Sequence, residues 1–103
     1  RTFLRLPQAI APVKVAVFPL LRNKLELVQT ARDVYDAVKK KIPQATWDDN
    51  GNIGKRYRRQ DEIGTPRCVT IDFQTLEDHT VTVRDRDTGK QERVALDALT
   101  NSL

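Results

Sequence analysis

Apolar residues recur at Leu25, Leu27, Val28, Ala31, Val34, Tyr35, Val38 and Ile42, the 3.6-residue spacing of a helix with one buried stripe. The spacing predicts a helix over 25–42. Glu26 in its first turn and Lys39, Lys40 and Lys41 in its last complement the helix dipole, and Pro43 ends it. Ahead of it, Val13 to Phe18 is a nearly continuous apolar, β-branched run closed by Pro19, as expected of a strand covered on both faces. Residues 45–49 suit a second short strand. Asn50-Gly51-Asn52 is a turn and a helix start, and the following helix spans Ile53 to Ile63. Gly64 supplies its left-handed stop, and Pro66 bars continuation.

After Pro66 the period changes from 3.6 to two. Val69, Ile71 and Phe73 alternate with Cys68, Thr70 and Asp72, and Val81 and Val83 alternate with Thr82, Arg84 and Arg86. Two strands are predicted, Arg67 to Phe73 and Thr80 to Arg86, joined by a turn over Gln74 to Asp78. Thr88-Gly89 turns the chain into a fifth strand, Gln91 to Val94, and a short helix is expected over 96–102. The first twelve residues, with Pro7 and Pro12, read as a lead-in to a domain over 13–103.

The resulting order is β-α-β-α-β-β-β-α. Strands separated by helices run parallel through right-handed crossovers, and those joined by hairpins run antiparallel. A mixed five-stranded sheet follows. Pairing Ile71 with Val83 would set Thr70 opposite Arg84 and Asp72 opposite Thr82, leaving one face apolar and the other polar and open.

The 103 residues, 39% hydrophobic and 31% charged, fit one globular domain. The longest apolar stretch, near Ala16 to Leu21, is too short to span a bilayer, and no signal peptide is evident. The chain starts at Arg1 and contains no Met, as expected of a piece of a longer protein. A single cysteine, Cys68, excludes an internal disulfide and any multi-cysteine metal site, and suits a small buried side chain. Charge is uneven: residues 1–67 hold fourteen basic and seven acidic side chains, and residues 68–103 hold four and seven. A basic half beside an acidic half suggests a surface that meets a polyanion.

Catalytic chemistry is missing. The one histidine, His79, sits in a polar turn, and a Ser–His–Asp arrangement would have to use Ser102. Gly51 to Lys55 lacks the P-loop gap and the hydroxyl residue after the lysine. No catalytic residue, metal or cofactor is therefore expected in this chain. The densest positive feature is Lys55, Arg56, Arg58 and Arg59, broken only by Tyr57. Either this is a solvated helix with local ion pairs to Asp61 and Glu62, or it meets RNA. Tyr57 reads as a core anchor. Arg84 and Arg86 have the same two readings: donors on an open face that takes single-stranded nucleotides, or a network with Asp72, Asp85 and Asp87.

GNIGKRYRRQDEIGTP (51–66), followed by CVTIDFQTLED (68–78) and TVTVRDRDTGKQERV (80–94), resembles the C-terminal domain of homodimeric glycyl-tRNA synthetases. LRLPQAIAPVKVAVFPL (4–20) resembles the segment that joins this domain to the catalytic one. The same fold occurs in the accessory subunit of mitochondrial DNA polymerase, which keeps a protein-interaction or nucleic-acid-binding module as the alternative. The resemblance implies a three-layer α/β anticodon-binding-domain fold, strand order 2-1-3-4-5, with helices on both sides. It also implies a cytoplasmic parent enzyme, a homodimer without membrane attachment, that charges glycine tRNA. ATP and Mg would belong to a catalytic domain upstream of Arg1.

Ligands of open α/β sheets gather beyond the carboxyl ends of the parallel strands, here the loops 20–24, 50–55 and 74–79. An anticodon loop is expected across this edge and the open face. In that placement Asn52 and Glu77 meet base edges, Arg56, Arg59, Arg84 and Arg86 meet phosphates or base acceptors, and Lys55 adds backbone charge. The middle and last bases of the glycine anticodon are cytosine, whose amine needs an acceptor from Glu77, Asp61 or a main-chain carbonyl.

Overall fold

The computed structural model describes residues 13–103; the lead-in expected over 1–12 lies outside them. Strand β1, Val15–Pro19, is buried along its whole length. Helix α1, Leu25–Lys41, buries Leu27, Ala31, Val34 and Val38, the stripe that its periodicity requires. After β2, Ala45–Trp47, helix α2 spans Ile53–Ile63. Asn52 caps its start by accepting the Lys55 N–H at 2.9 Å. Gly64 ends it at φ 94°, a left-handed conformation that a side chain would strain. Strand β3 is Arg67–Ile71, β4 is Thr80–Asp85 and β5 is Gln91–Ala95. A 3-10 turn, Leu96–Ala98, leads into the closing helix.

One expectation is overturned. Residues 73–78 form helix α3, Phe73–Asp78, where a turn was predicted, and the closing helix Leu99–Ser102 is therefore α4. Asp72 accepts the Thr75 N–H, and the Thr75 hydroxyl oxygen accepts the Asp72 N–H, each at 3.1 Å. This is a reciprocal cap with threonine in the place usually held by Glu or Gln. Six residues are too few to show a helical period, so the pattern gave no sign of it. Because Asp72 leaves the sheet to make this cap, β3 stops at Ile71. The hairpin register shifts with it: Val69 pairs with Val83, Thr70 with Thr82 and Cys68 with Arg84. The shift is two residues, so every side chain that stays in the paired strands keeps its expected face.

The sheet order is β2-β1-β3-β4-β5, with β1 parallel to β2 and β3, and β4 antiparallel to β3 and β5. Helices cover both sides. On one face Val15, Val17, Val69, Ile71, Val81 and Val83 pack against the α1 stripe and Leu99. On the other, Ala16, Phe18 and Cys68 pack under Ile53 and Tyr57 of α2. Phe18 and Tyr57 meet edge to face, with ring centroids 5.4 Å apart. Among the described residues no helix is long and apolar enough to cross a membrane.

Candidate nucleic-acid interface

Helix α2 starts at the carboxyl edge of β1, where Asp48 N–H donates to Val17 C=O. The arginine that anchors it there is Arg56, only 2% exposed. Its Nε and Nη2 donate to Gly51 C=O at 3.2 and 3.0 Å, and its Nη1 donates to Pro19 C=O. Burial lowers its pKa from the ordinary value, with Asp48 and Asp49 opposing that. The expectation that Arg56 meets a phosphate does not fit this geometry, because its donors face inward. It ties the end of β1 to the turn before α2.

Arg59 is similarly committed. Its Nη1 reaches both oxygens of Asp48, at 2.6 and 2.5 Å. Asp48 also accepts from Gln60 Nε2 at 3.0 Å and from Asn50 N–H at 3.1 Å, and Gln60 in turn accepts the Thr65 hydroxyl at 2.7 Å. Burial pushes the Asp48 carboxyl up, but these donors outweigh it and hold the group below its ordinary value. The ion pairs expected for this helix were local ones, to Asp61 and Glu62. Two arginine pairs reach further, to Asp48 in the preceding loop and, through Asp61, from Arg84 in β4.

Beyond α2 the same face of the sheet continues over β4 and β5 without a helix above it among the described residues. Cross-strand neighbours put Thr82 beside Thr70, Arg93 beside Thr82 and Gln91 beside Arg84 on this face. Arg84 donates to the Asp61 carboxylate at 3.0 and 3.4 Å and lies 4.9 Å from the Tyr57 ring centre. Hydrogen bonding to Asp61 raises its pKa. Tyr57 shares a 2.7 Å hydrogen bond with the Thr70 hydroxyl, the anchoring role expected of it. Arg93, which sequence reasoning passed over, donates to Asp72 at 2.6 and 3.3 Å and to the hydroxyls of Thr80 and Thr82 at 3.1 and 3.2 Å.

The loops at the carboxyl edge carry a different set. Leu20 N–H donates to Ile71 C=O at 2.8 Å, so the 20–24 loop and α3 leave the sheet side by side. Asn52, Lys55 and Glu77 are exposed on this edge, although the Asn52 oxygen is already occupied as a cap. Arg22, Lys24, Lys55 and Arg58 carry no ion pair among the described residues. Arg86 is not gathered with them. It follows β4 at the opposite edge, where its N–H donates to Pro66 C=O and its guanidinium pairs with Asp87 at 3.0 Å. The structure thus brings Asn52, Lys55 and Glu77 to one edge, puts Arg84 on the open face, and turns Arg56 inward. Cys68 is 2% exposed, and burial pushes its thiol pKa up to about 12, which leaves it unreactive at neutral pH.

The family described as Anticodon binding domain matches residues 14–103. The chain is 57% identical over 97 residues to a glycine–tRNA ligase of Bifidobacterium longum, covering 94% of this chain and 20% of the relative. It is 58% identical over 99 residues to that of Streptomyces coelicolor, covering 96% and 21%. It is 50% identical over its full length to 18% of the glycine–tRNA ligase of Aeropyrum pernix. The chain thus spans about a fifth of the length of the curated relatives it matches. Among solved structures, the RNA binding domain of threonyl-tRNA synthetase from Cryptosporidium parvum superposes with a TM-score of 0.81. That match is 24% identical and covers 95% of this chain and 24% of the other, a likeness of fold.

Proposed function

The chain belongs to the anticodon binding domain family, and we propose that it is the part of a glycine–tRNA ligase that holds the anticodon loop of glycine tRNA. The observation that carries this reading is identity above one half to glycine–tRNA ligases over nearly the whole chain. The parent enzyme in this reading is a cytoplasmic homodimer that joins glycine to its tRNA. ATP and Mg bind elsewhere in that enzyme.

The loop lies along the carboxyl edge of β1 and β3 and reaches onto the open face of β4 and β5. Lys55 supplies backbone charge from the exposed side of α2. Asn52 keeps its amide N–H groups for a base acceptor while its oxygen caps the helix. Glu77 is the acceptor for a cytosine amine. Arg59 and Arg84 meet phosphate only through the part of each guanidinium that its aspartate leaves open. Phosphate contacts provide affinity that falls with salt, while contacts to base edges provide discrimination.

The test is binding of the chain to a glycine anticodon stem-loop and to one with both cytosines changed, at two salt concentrations. A preference for the first that persists at the higher salt is expected. Equal binding that vanishes with salt would refute anticodon reading. It would leave a basic surface without base specificity.

A further inference from the structure

Trp47 ends the edge strand β2 opposite Val17, immediately before the Asp48 that anchors α2. Arg32, in the first half of α1, lays its guanidinium 4.0 Å from the centre of the indole. Tyr35 meets the same ring edge to face, with centroids 5.9 Å apart. The indole N–H is buried and makes no hydrogen bond, so packing against these neighbours orients the ring. Lys39 lies over Tyr35 in turn, 5.9 Å from its ring centre, but is committed to the domain, donating to Ala45 C=O at 3.0 Å.

Arg32 is not so committed. It is exposed and makes no ion pair or hydrogen bond among the described residues, although Asp36 follows it at the i, i+4 spacing that favours pairing. The indole holds it instead. A guanidinium stacked on an aromatic ring keeps its planar fork of N–H donors available and loses less freedom when the fork is used. A fork of donors with a full positive charge is the complement of an oxyanion. An apolar partner surface finds little here, because the large apolar side chains that stand exposed are Leu21, Leu25, Ile63 and Phe73, none of them in this cluster. Strand β2 continues the parallel sheet beyond β1. RNA whose loop lies over β1 and β3 therefore meets Arg32 where it leaves on the β2 side.

We propose that Arg32, propped on Trp47, binds a backbone phosphate of the RNA where one strand passes from the loop into its stem, on the β2 flank of the carboxyl edge. The contact supplies affinity and reads no base. Trp47 is a positioning residue that acts through Arg32. The proposal rests on the placement of the anticodon loop given above.

The experiment measures binding of the chain to the glycine anticodon stem-loop and to the cytosine-substituted one over a salt series. The variants are Arg32→Ala, Arg32→Lys, Trp47→Leu and the double variant, with Lys40→Ala removing an equal, exposed charge from the last turn of α1. Arg32→Ala should weaken binding to both stem-loops roughly tenfold at the lower salt, the scale of one hydrogen bond to a charged group. It should lower the log–log salt slope by about 0.7 and leave the preference for the cytosines as it is. Arg32→Lys should keep the slope and lose part of the affinity, because an ammonium offers no fork. Trp47→Leu should weaken binding as well, and in its background Arg32→Ala should cost less than it does alone, a coupling that a merely structural tryptophan would not produce. Should Trp47→Leu melt early, Arg32→Ala, a surface substitution, carries the comparison. If the wild type prefers the glycine stem-loop but Arg32→Ala keeps its affinity and slope, or loses no more than Lys40→Ala does, the phosphate contact is refuted while the anticodon reading stands. If Arg32→Ala lowers affinity and slope but the wild type does not distinguish the two stem-loops, the anticodon reading fails and the phosphate contact stands without it.

Discussion

Two regions of this domain carry most of its positive charge near the candidate interface, and they use it in opposite ways. Along α2 and the neighbouring strands, Arg56, Arg59, Arg84 and Arg93 each make at least two hydrogen bonds to carbonyl, carboxylate or hydroxyl oxygens within the domain. At the carboxyl edge, Arg22, Lys24 and Lys55 have no such ion partners among the described residues, and Lys24 lines a hollow with exposed Leu25 and Phe73. Within the dense cluster of the sequence Arg56 and Arg59 hold the fold together, while Lys55 and Arg58 face outward. A cation contributes to a polyanion surface through what remains unpaired after folding, so clustering along the chain is a poor guide to the surface potential.

The largest effect expected on this contrast is at Arg56. Arg56→Ala leaves the carbonyls of Pro19 and Gly51 without their donor and opens a void beneath Phe18, whose ring lies 5.7 Å from the guanidinium. The loss should be about 2–6 kcal/mol, at about 1–3 kcal/mol for each of two buried acceptors left without a donor, out of the roughly 5–15 kcal/mol typical of a domain. Denaturant midpoints measure it. Retained stability with lost affinity for the stem-loop would place Arg56 in the interface after all and erase the distinction between the two regions.

The contrast also explains what the sequence could reveal. Helix α1 was legible almost to the residue because its apolar stripe repeats four times before Pro43. The cap at Asn52 and the stop at Gly64 were legible because each needs a particular residue type. The burial of Arg56 and Gln60 was not. They share a helix face by i, i+4 spacing, but two polar residues carry no sign that the face turns inward. Phe73 was concealed in the opposite way: its alternation with Ile71 and Val69 reads as one more core position of β3. Only the Asp72–Thr75 cap takes it out of the strand and puts it on the surface. Of the candidate site, the edge was legible from topology and the identity of its free side chains was not, because that depends on pairings between distant residues such as Asp61 with Arg84.

Next in size is Asp48. Asp48→Asn should cost about 1–3 kcal/mol, since Arg59 loses its charged acceptor and Gln60 its partner. The sign of the accompanying pH effect follows from the depressed carboxyl. Its contribution is fully present above the unfolded value near 3.9 and is lost as pH falls toward the folded value below it. Asp72, whose burial penalty is outweighed by Arg93 and Thr75, is depressed too and adds in the same direction. Acid melts of the wild type should therefore steepen below about pH 4, and Asp48→Asn should flatten that limb. An unchanged acid limb in the variant would show that the α2 network is not held by this carboxylate.

At the other edge the same kind of substitution should leave stability alone. Arg22→Ala and Lys24→Ala should change unfolding free energy by no more than about 0.5 kcal/mol. Each should also lower the salt dependence of stem-loop binding by about 0.7 in the log–log slope. An unchanged slope in both would mean that this rim meets no phosphate.

The most specific effect, confined to the choice between two RNA loops and without any change in stability, is at Glu77. Asp61 was an alternative acceptor for a cytosine amine, but its carboxylate holds Arg84 at 3.0 Å, and that of Asp72 holds Arg93 at 2.6 Å. Glu77 is exposed on α3 with no hydrogen bond or ion pair among the described residues, so it is the carboxylate there that can accept from a base without breaking an internal pair. Glu77→Gln keeps the shape and one acceptor oxygen but adds a donor that can point at the amine. Unfolding should be unchanged. Affinity for the glycine stem-loop should fall modestly, and the preference over the cytosine-substituted loop should shrink by about 1–3 kcal/mol, the worth of one base-edge contact. Full discrimination in Glu77→Gln would remove Glu77 from base reading and leave a main-chain carbonyl of the 74–79 segment as the acceptor to pursue.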